Sequence, residues 1–155
     1  MKERTTELAK TNKQLHQEII ERKRAEQELR LLAEMVEQST DSIIRTDTEF
    51  RITYINEAAK ELFGWSLTEL QGKTPDMLKA GPYGHSIQTD IYTTIFSGKP
   101  YFGEALNVRK DGSRFYCQFK FSPLVDEYGK IYGYMGSQRD ITKRKHAEEA
   151  LRESE

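Results

Sequence analysis

In 155 residues, Lys and Arg number 24 and Asp and Glu 25, a net charge of −1 that demands no polyanionic partner. The one cysteine, Cys117, rules out an internal disulfide and a multi-cysteine zinc site. No apolar run nears the ~18 residues of a membrane span, and Met1-Lys2-Glu3-Arg4 leads into no hydrophobic signal segment. The expectation is a cytoplasmic chain with no metal, no nucleic-acid partner and no direct membrane contact, any anchor belonging to a longer parent.

Residues 1–37 hold eight Lys/Arg and eight Glu, with no Pro, Gly, Phe, Tyr or Trp, while every aromatic lies between Phe50 and Tyr134. Residues 5–37 therefore read as one breaker-free helix. Leu8, Leu15, Leu29 and Val36 share one heptad position, with Ile19 and Ala33 on the companion position. Arg22 and Glu26 interrupt the seam, and Ala25, Leu29, Leu32 and Val36 resume it in a shifted frame. The pattern predicts a two-stranded coiled coil with a register shift, hence a homodimer through this helix. A helix folded back on its own domain is the alternative. Arg22-Lys23-Arg24 sits among glutamates as a solvated face.

The body follows in order. "SIIRTD" (42–47) and "RITYI" (51–55) are β-branched runs separated by Thr48-Glu49-Phe50, a hairpin. Asn56 caps a short helix that stops at Gly64. Ser66 caps the next, Glu69 closes its capping box and Gly72 ends it. Residues 73–85 contain Pro75, Gly81, Pro82 and Gly84 and read as loop or broken helix. In 86–96, Ile87, Ile91, Ile95 and Phe96 are assigned to one buried face. Three strands follow at 101–109, 114–125 and 130–140, with turns at Lys110-Asp111-Gly112 and Asp126-Glu127-Tyr128-Gly129. Phe115, Cys117, Phe119 and Phe121 alternate with polar residues and should face the core. Leu106 and Val108 point to the other face, where an apolar patch needs a cover, from the N-terminal helix or from a partner subunit. The order gives an α+β fold: a five-stranded antiparallel sheet with short helices on one face, after a long N-terminal coiled-coil helix.

The last element repeats the first. "DITKRKHAEEALR" (140–152) matches "EIIERKRAEQELR" (18–30) at seven of thirteen positions. Arg144, Glu148 and Arg152 are spaced i, i+4, i+8, as are Arg22, Glu26 and Arg30, each adjacent pair worth ~0.2–0.5 kcal/mol on an exposed helix. Such helices are expected to join successive modules of a longer chain, with an output domain beyond Glu155. The boundaries are 1–38 for the N-terminal coiled-coil helix, 39–140 for the body and 141–155 for the start of the exit helix.

"DSIIRTDTEFRITYINEAAKELFGWSLTELQGK" resembles the opening of a PAS sensory domain, and "GEALNVRKDGSRFYCQFKFSPLVDEYGKIYGYMGSQRDIT" its closing strands with the Asp-Ile-Thr junction. The resemblance covers about residues 32–142, and the flanking phrase is similar to the signalling linkers of bacterial sensor histidine kinases and cyclic-di-GMP enzymes. It implies a sensory and dimerisation module. The ligand pocket would lie between Phe115, Cys117, Phe119 and Tyr134 on the sheet and Phe63, Leu70, Met77 and Ile91 on the helices. Asp140, Ile141 and Thr142 would pass a change in the pocket to the exit helix. A ligand-free PAS spacer that only sets dimer geometry is the alternative.

The resemblance leaves the cofactor unknown. Light-sensing flavin members place a cysteine where this chain has Pro75, so no cysteinyl–flavin photocycle is expected. Asn107 and Gln138 match two polar residues that such domains direct at flavin, and Cys117 replaces a third, which leaves a flavin redox sensor open. His85 stands near the haem-ligating histidine of gas-sensing members, but Gly103 replaces their distal arginine. Trp65 is expected to pack over the pocket. Glu69 and Lys110 match a carboxylate–lysine pair between the short helix and the strand-turn loop. No nucleotide loop, GGDEF-like run or Ser/His/Asp set is present, and neither "QLHQEI" around His16 nor "RKHAEE" around His146 resembles a phosphoacceptor box. No enzymatic activity is expected of this chain, its parent being a histidine kinase or cyclic-di-GMP enzyme.

Overall fold

The computed structural model describes residues 2–81 and 84–154, in two units, residues 1–37 and 38–155. The first is a single helix, α1 (Lys2–Gln38), with no buried residue. Glu, Lys, Gln, Leu and Ala dominate it, all good helix formers. Leu8, Leu15, Ile19 and Leu29 are exposed, so the seam read from the heptads is solvent-facing. A helix of this polarity draws its stability from packing such a seam.

In the second unit the elements are β1 (Ser42–Thr46), β2 (Ile52–Ile55), α2 (Glu57–Phe63), α3 (Leu67–Leu70), a 3₁₀ helix (Pro75–Leu78), α4 (Gly84–Phe96), β3 (Tyr101–Val108), β4 (Arg114–Val125), β5 (Ile131–Asp140) and α5 (Thr142–Ser154). The expected break at Pro82 lies outside the described residues. The strands form one antiparallel sheet in the order β2-β1-β5-β4-β3. The first hairpin and the last three strands thus meet through β1 and β5, where Ile44 pairs with Gly136.

Local chemistry sets the helix ends. The Asn56 carboxamide oxygen accepts from the Ala59 N–H that α2 leaves free, and also from Ile43 N, 2.9 Å away, which ties the cap to β1. Gly64 stops α2 at φ +79, in the left-handed region where a side chain is strained. Ser66 and Glu69 form the reciprocal capping box of α3.

The core lies between the inner sheet face and α2–α4. Phe63, Leu70, Ile91 and Ile95 from the helices meet Ile44, Ile52, Phe115, Cys117, Phe119, Phe121 and Tyr134 from the strands. On β4 the period of two holds: Phe115, Cys117, Phe119 and Phe121 are buried and their polar neighbours are not. Leu106 and Val108, on the alternate face of β3, are half-buried.

Two expectations need correction. On α4 the buried stripe is Gly84, Gln88, Ile91 and Ile95. Phe96 is exposed, because it lies one step past Ile95, about 100° around the helix. Phe50 is more than a turn residue. It adopts φ +63 and stacks its ring on Tyr92 at 4.0 Å and Tyr134 at 4.6 Å. A left-handed aromatic is costly, and the stacking offsets that cost. Asp47 Oδ1 fixes the turn by accepting from Glu49 N and Arg51 N.

Candidate functional site

Three connected regions can carry function: the interior, a clamp on the β3–β4 turn, and the junction into α5.

In the interior, Phe63, Leu70, Ile91, Asn107, Phe115, Cys117, Phe119, Tyr134 and Gln138 are buried, and Trp65 and Met77 pack half-buried against that cluster. His85 is exposed in the first turn of α4. Aromatic and aliphatic side chains together pack this interior. A cavity of about 10 Å³ remains, bounded by Gln88, Ile91, Tyr92, Phe121 and Tyr134 among others. That is room for about one water, against the ~300–1,000 Å³ of a typical ligand pocket. Pro75, buried at the cysteine position, leaves no thiol there for a flavin adduct, and His85 is exposed and not enclosed as a haem ligand would be.

Gln138 accepts a 2.6 Å hydrogen bond from the Ser42 hydroxyl, which links β5 to β1. Asn107 is 1% exposed, yet its Oδ1 has no hydrogen-bond partner among the described residues, and neither amide atom of Gln88 has one. The other unforeseen feature is Lys79. It is 8% exposed, just past the 3₁₀ helix, with its ammonium 3.7 Å from the centre of the Phe119 ring and 5.7 Å from that of Phe121. Burial pulls its pKa down to about 8, opposed by the nearby Cys117 thiol, and burial lifts that thiol to about 11. Nothing in the hydropathy of "MLKAG" marks a buried lysine. Gln88 was not singled out either, although its place three residues before Ile91 on the same helical face is a signal that could have marked it as buried.

The clamp joins α3 to the β3–β4 turn. Lys110 Nζ donates to Glu69 Oε2 at 2.6 Å, and Lys110 N donates to Phe63 O at 2.8 Å. The Lys110 ammonium also lies 5.3 Å from the Trp65 ring centre, which places Trp65 under the clamp. The Lys110 hydrogen bond, aided by the Ser66 N–H, holds the Glu69 carboxyl at about 2. A carboxylate with a depressed folded pKa contributes stability above its unfolded value of about 4.5 and loses it as pH falls toward 2. Glu69→Gln is therefore expected to lower the melting temperature at pH 7 and to match the wild type near pH 2. Thermal unfolding of both proteins across that range checks this. A pH-independent difference would remove the ion pair as its cause.

The junction is the most hydrogen-bonded of the three. Thr142 N and Thr142 Oγ1 donate to Asp140 Oδ1 at 2.9 and 2.6 Å, so Asp140 satisfies the first turn of α5. Tyr116 N on β4 donates to Thr142 Oγ1 at 3.0 Å, and Ile141 N donates back to Tyr116 O at 2.8 Å. Asp140 Oδ2 accepts from Arg109 Nη2 at 2.9 Å. Arg109 Nε in turn donates to Leu62 O at 3.0 Å, and the guanidinium lies 4.3 Å from the centre of the buried Phe115 ring. One arginine thus connects α2, the core and the entry to α5. Farther along α5, Arg144 and Lys145 both reach Glu104 on β3 at 2.7 Å. Those hydrogen bonds, Lys145 first, hold the Glu104 carboxyl below its ordinary range.

Comparison with known proteins fits this architecture. A family model described as a PAS domain matches residues 40–143. The crystal structure of the PAS domain of a protein from Colwellia psychrerythraea superposes with a TM-score of 0.68 at 25% identity, covering 74% of this chain and 98% of that one. The nitrogen fixation regulatory protein of Klebsiella pneumoniae is 30% identical over 118 residues, 76% of this chain and 24% of that protein. Sporulation kinase C of Bacillus subtilis is 29% identical over 70% of this chain and 25% of its own length, and the aerotaxis receptor of Escherichia coli 33% over 58% and 18%. The chain spans a quarter or less of the length of these relatives. Among the described residues, no helix is long and apolar enough to cross a membrane and no cluster of His, Cys, Asp or Glu could hold a metal ion.

Proposed function

Because this chain belongs to the PAS domain family, a family of sensory modules, we propose that it serves a bacterial signal-transduction protein whose output is a histidine kinase. It dimerises through α1 and relays the state of its interior, or of a bound partner, through the start of α5. The observation that carries this reading is the chain of contacts from Phe115 through Arg109 and Asp140 to Thr142. It ties the packing of the core to the first turn of the exit helix, so two core arrangements would favour two settings of that helix. The direct test is the response of the output when Asp140 and Thr142 are replaced.

Dimerisation rests on the exposed heptad seam of α1, with Leu8, Leu15, Ile19 and Leu29 each about half exposed or more. At tens of micromolar, light scattering should give twice the 18.1 kDa of the chain, and Leu15→Glu with Leu29→Glu should return it to 18.1 kDa. A wild type that is strictly monomeric at that concentration would sink this part of the proposal.

A second reading has one observation in its favour. The interior keeps only about 10 Å³, which suits a spacer that sets dimer geometry and binds no small molecule. Under that reading no soluble metabolite changes the melting temperature.

A further inference from the structure

From the Gln88 carboxamide and the Tyr92 hydroxyl we infer that the cavity between α4 and the sheet is a binding site for one ordered water molecule, which bridges the two side chains. This site needs neither the kinase output nor the dimer proposed above.

The helix brings the two groups together. Gln88 and Tyr92 stand four residues apart on α4, so their side chains are neighbours on its surface. Gln88 is 1% exposed, and Ile91 and Ile95 on the same stripe are buried. Tyr92 is half-buried, with its ring stacked on Phe50. The Tyr92 hydroxyl and both polar atoms of the Gln88 carboxamide are shut off from solvent, and none has a hydrogen-bond partner among the described residues. Both residues line the same cavity of about 10 Å³, together with Thr46, Phe50, Phe121 and Tyr134. The hydroxyl also senses the carboxamide. Burial raises the Tyr92 pKa, and the Gln88 side chain beside it opposes that rise. The two heads are therefore close to each other, yet outside direct hydrogen-bonding geometry.

Size and chemistry select the occupant. The volume is that of about one water, and buried waters take up groups of this kind, with about three hydrogen bonds each. A carboxamide offers an acceptor oxygen and a donor nitrogen, and a phenol hydroxyl both donates and accepts. Water answers either edge of the carboxamide, donating to Gln88 Oε1 or accepting from Gln88 Nε2, and it meets the Tyr92 hydroxyl in the complementary role. Ammonium is of similar size, but it only donates, and no carboxylate stands in the cavity wall to balance its charge. An apolar gas would leave the polar atoms unpaired, and a metabolite of several heavy atoms exceeds the volume.

The water has a place in the relay. Tyr92 stacks on Phe50 at 4.0 Å, and Phe50 stacks on Tyr134 of β5 at 4.6 Å. β5 ends at Asp140, the residue that satisfies the first turn of α5. The water thus holds α4 at the start of a stacked path to the junction.

The test uses the full chain. A crystal structure that shows ordered solvent should place one water within about 3.2 Å of a Gln88 amide atom and of Tyr92 Oη. In solution, magnetic relaxation dispersion of the water nuclei should count one fewer long-lived water in Gln88→Leu than in the wild type. Tyr92→Phe keeps the ring on Phe50 and removes only the hydroxyl. It should melt a few degrees below the wild type, and in the Gln88→Leu background it should no longer lower the melting temperature. The water is ruled out if Gln88 and Tyr92 are bonded directly to each other with no solvent between them, or if wild type and Gln88→Leu hold equal numbers of long-lived waters. If Gln88→Leu does not fold, the wild-type crystal structure decides. A larger molecule in the density at this place would also rule the water out, and would keep a ligand-sensing role for the interior.

Discussion

Phe115→Ala is expected to destabilise the body by about 3–5 kcal/mol, the usual cost of deleting a buried phenylalanine. Phe115 is 1% exposed and meets Phe63 with ring centres 5.6 Å apart, between β4 and α2. Neither neighbour can collapse into the space left behind. Phe63 is held by the Asn56 cap and the Gly64 stop at the two ends of α2, and β4 is paired on both sides by β3 and β5. The Arg109 guanidinium also loses the ring that supports it. For a domain of this size the melting temperature should fall by roughly 10–20 °C. Thermal and urea unfolding measure it, and a loss under about 1 kcal/mol would mean that the core repacks.

The second large effect concerns output. In a chain carrying its kinase or a grafted reporter kinase, Asp140→Ala with Thr142→Ala should fix the output at one level. Allosteric coupling is worth about 1–3 kcal/mol, a 5–150-fold change in an equilibrium, and the ratio between signalling states should drop towards one. Stability should change far less. Asp140 is about a third exposed, so losing its bonds to the first turn of α5 costs about 0.5–2 kcal/mol, and solvent screening keeps the Arg109 contribution small. A double variant that folds, dimerises and retains the full response would show that the relay runs elsewhere.

The parts of the fold written in local chemistry were readable from the sequence. Ser66 and Glu69 had to form a capping box because a hydroxyl and a carboxylate stood three residues apart ahead of a helix. Phe115 to Phe121 had to face inward because their period was two. The Glu69–Lys110 pair came from the family resemblance, and the 2.6 Å contact agrees with it. What escaped the reading depends on tertiary packing. Lys79 is a surface residue by composition, and only its bridge to Asn107 and the close approach of Gly84 enclose it. Phe50 sits in a turn, and its ring enters the core because a left-handed backbone redirects it. Phe96 was placed on the buried face by apolarity alone, against its helical angle. Asp140 and Thr142 were named from the junction motif, but Arg109 was missed, since its role lies in linking Leu62 O, Phe115 and Asp140 across 47 and 31 residues of chain.

The central claim, that core packing sets the start of α5, is tested most directly by amide hydrogen exchange. Gln88→Leu alters the interior on α4, far in sequence from the junction. Its effect is read at Ile141 N and Lys145 N, which donate to Tyr116 O and Ile141 O, with Asn56 N in the β1–α2 region as reference. The account predicts at least a tenfold change in protection at Ile141 and Lys145, about 1.4 kcal/mol, with Asn56 unchanged. Equal changes at all three, or none at the junction, would contradict it.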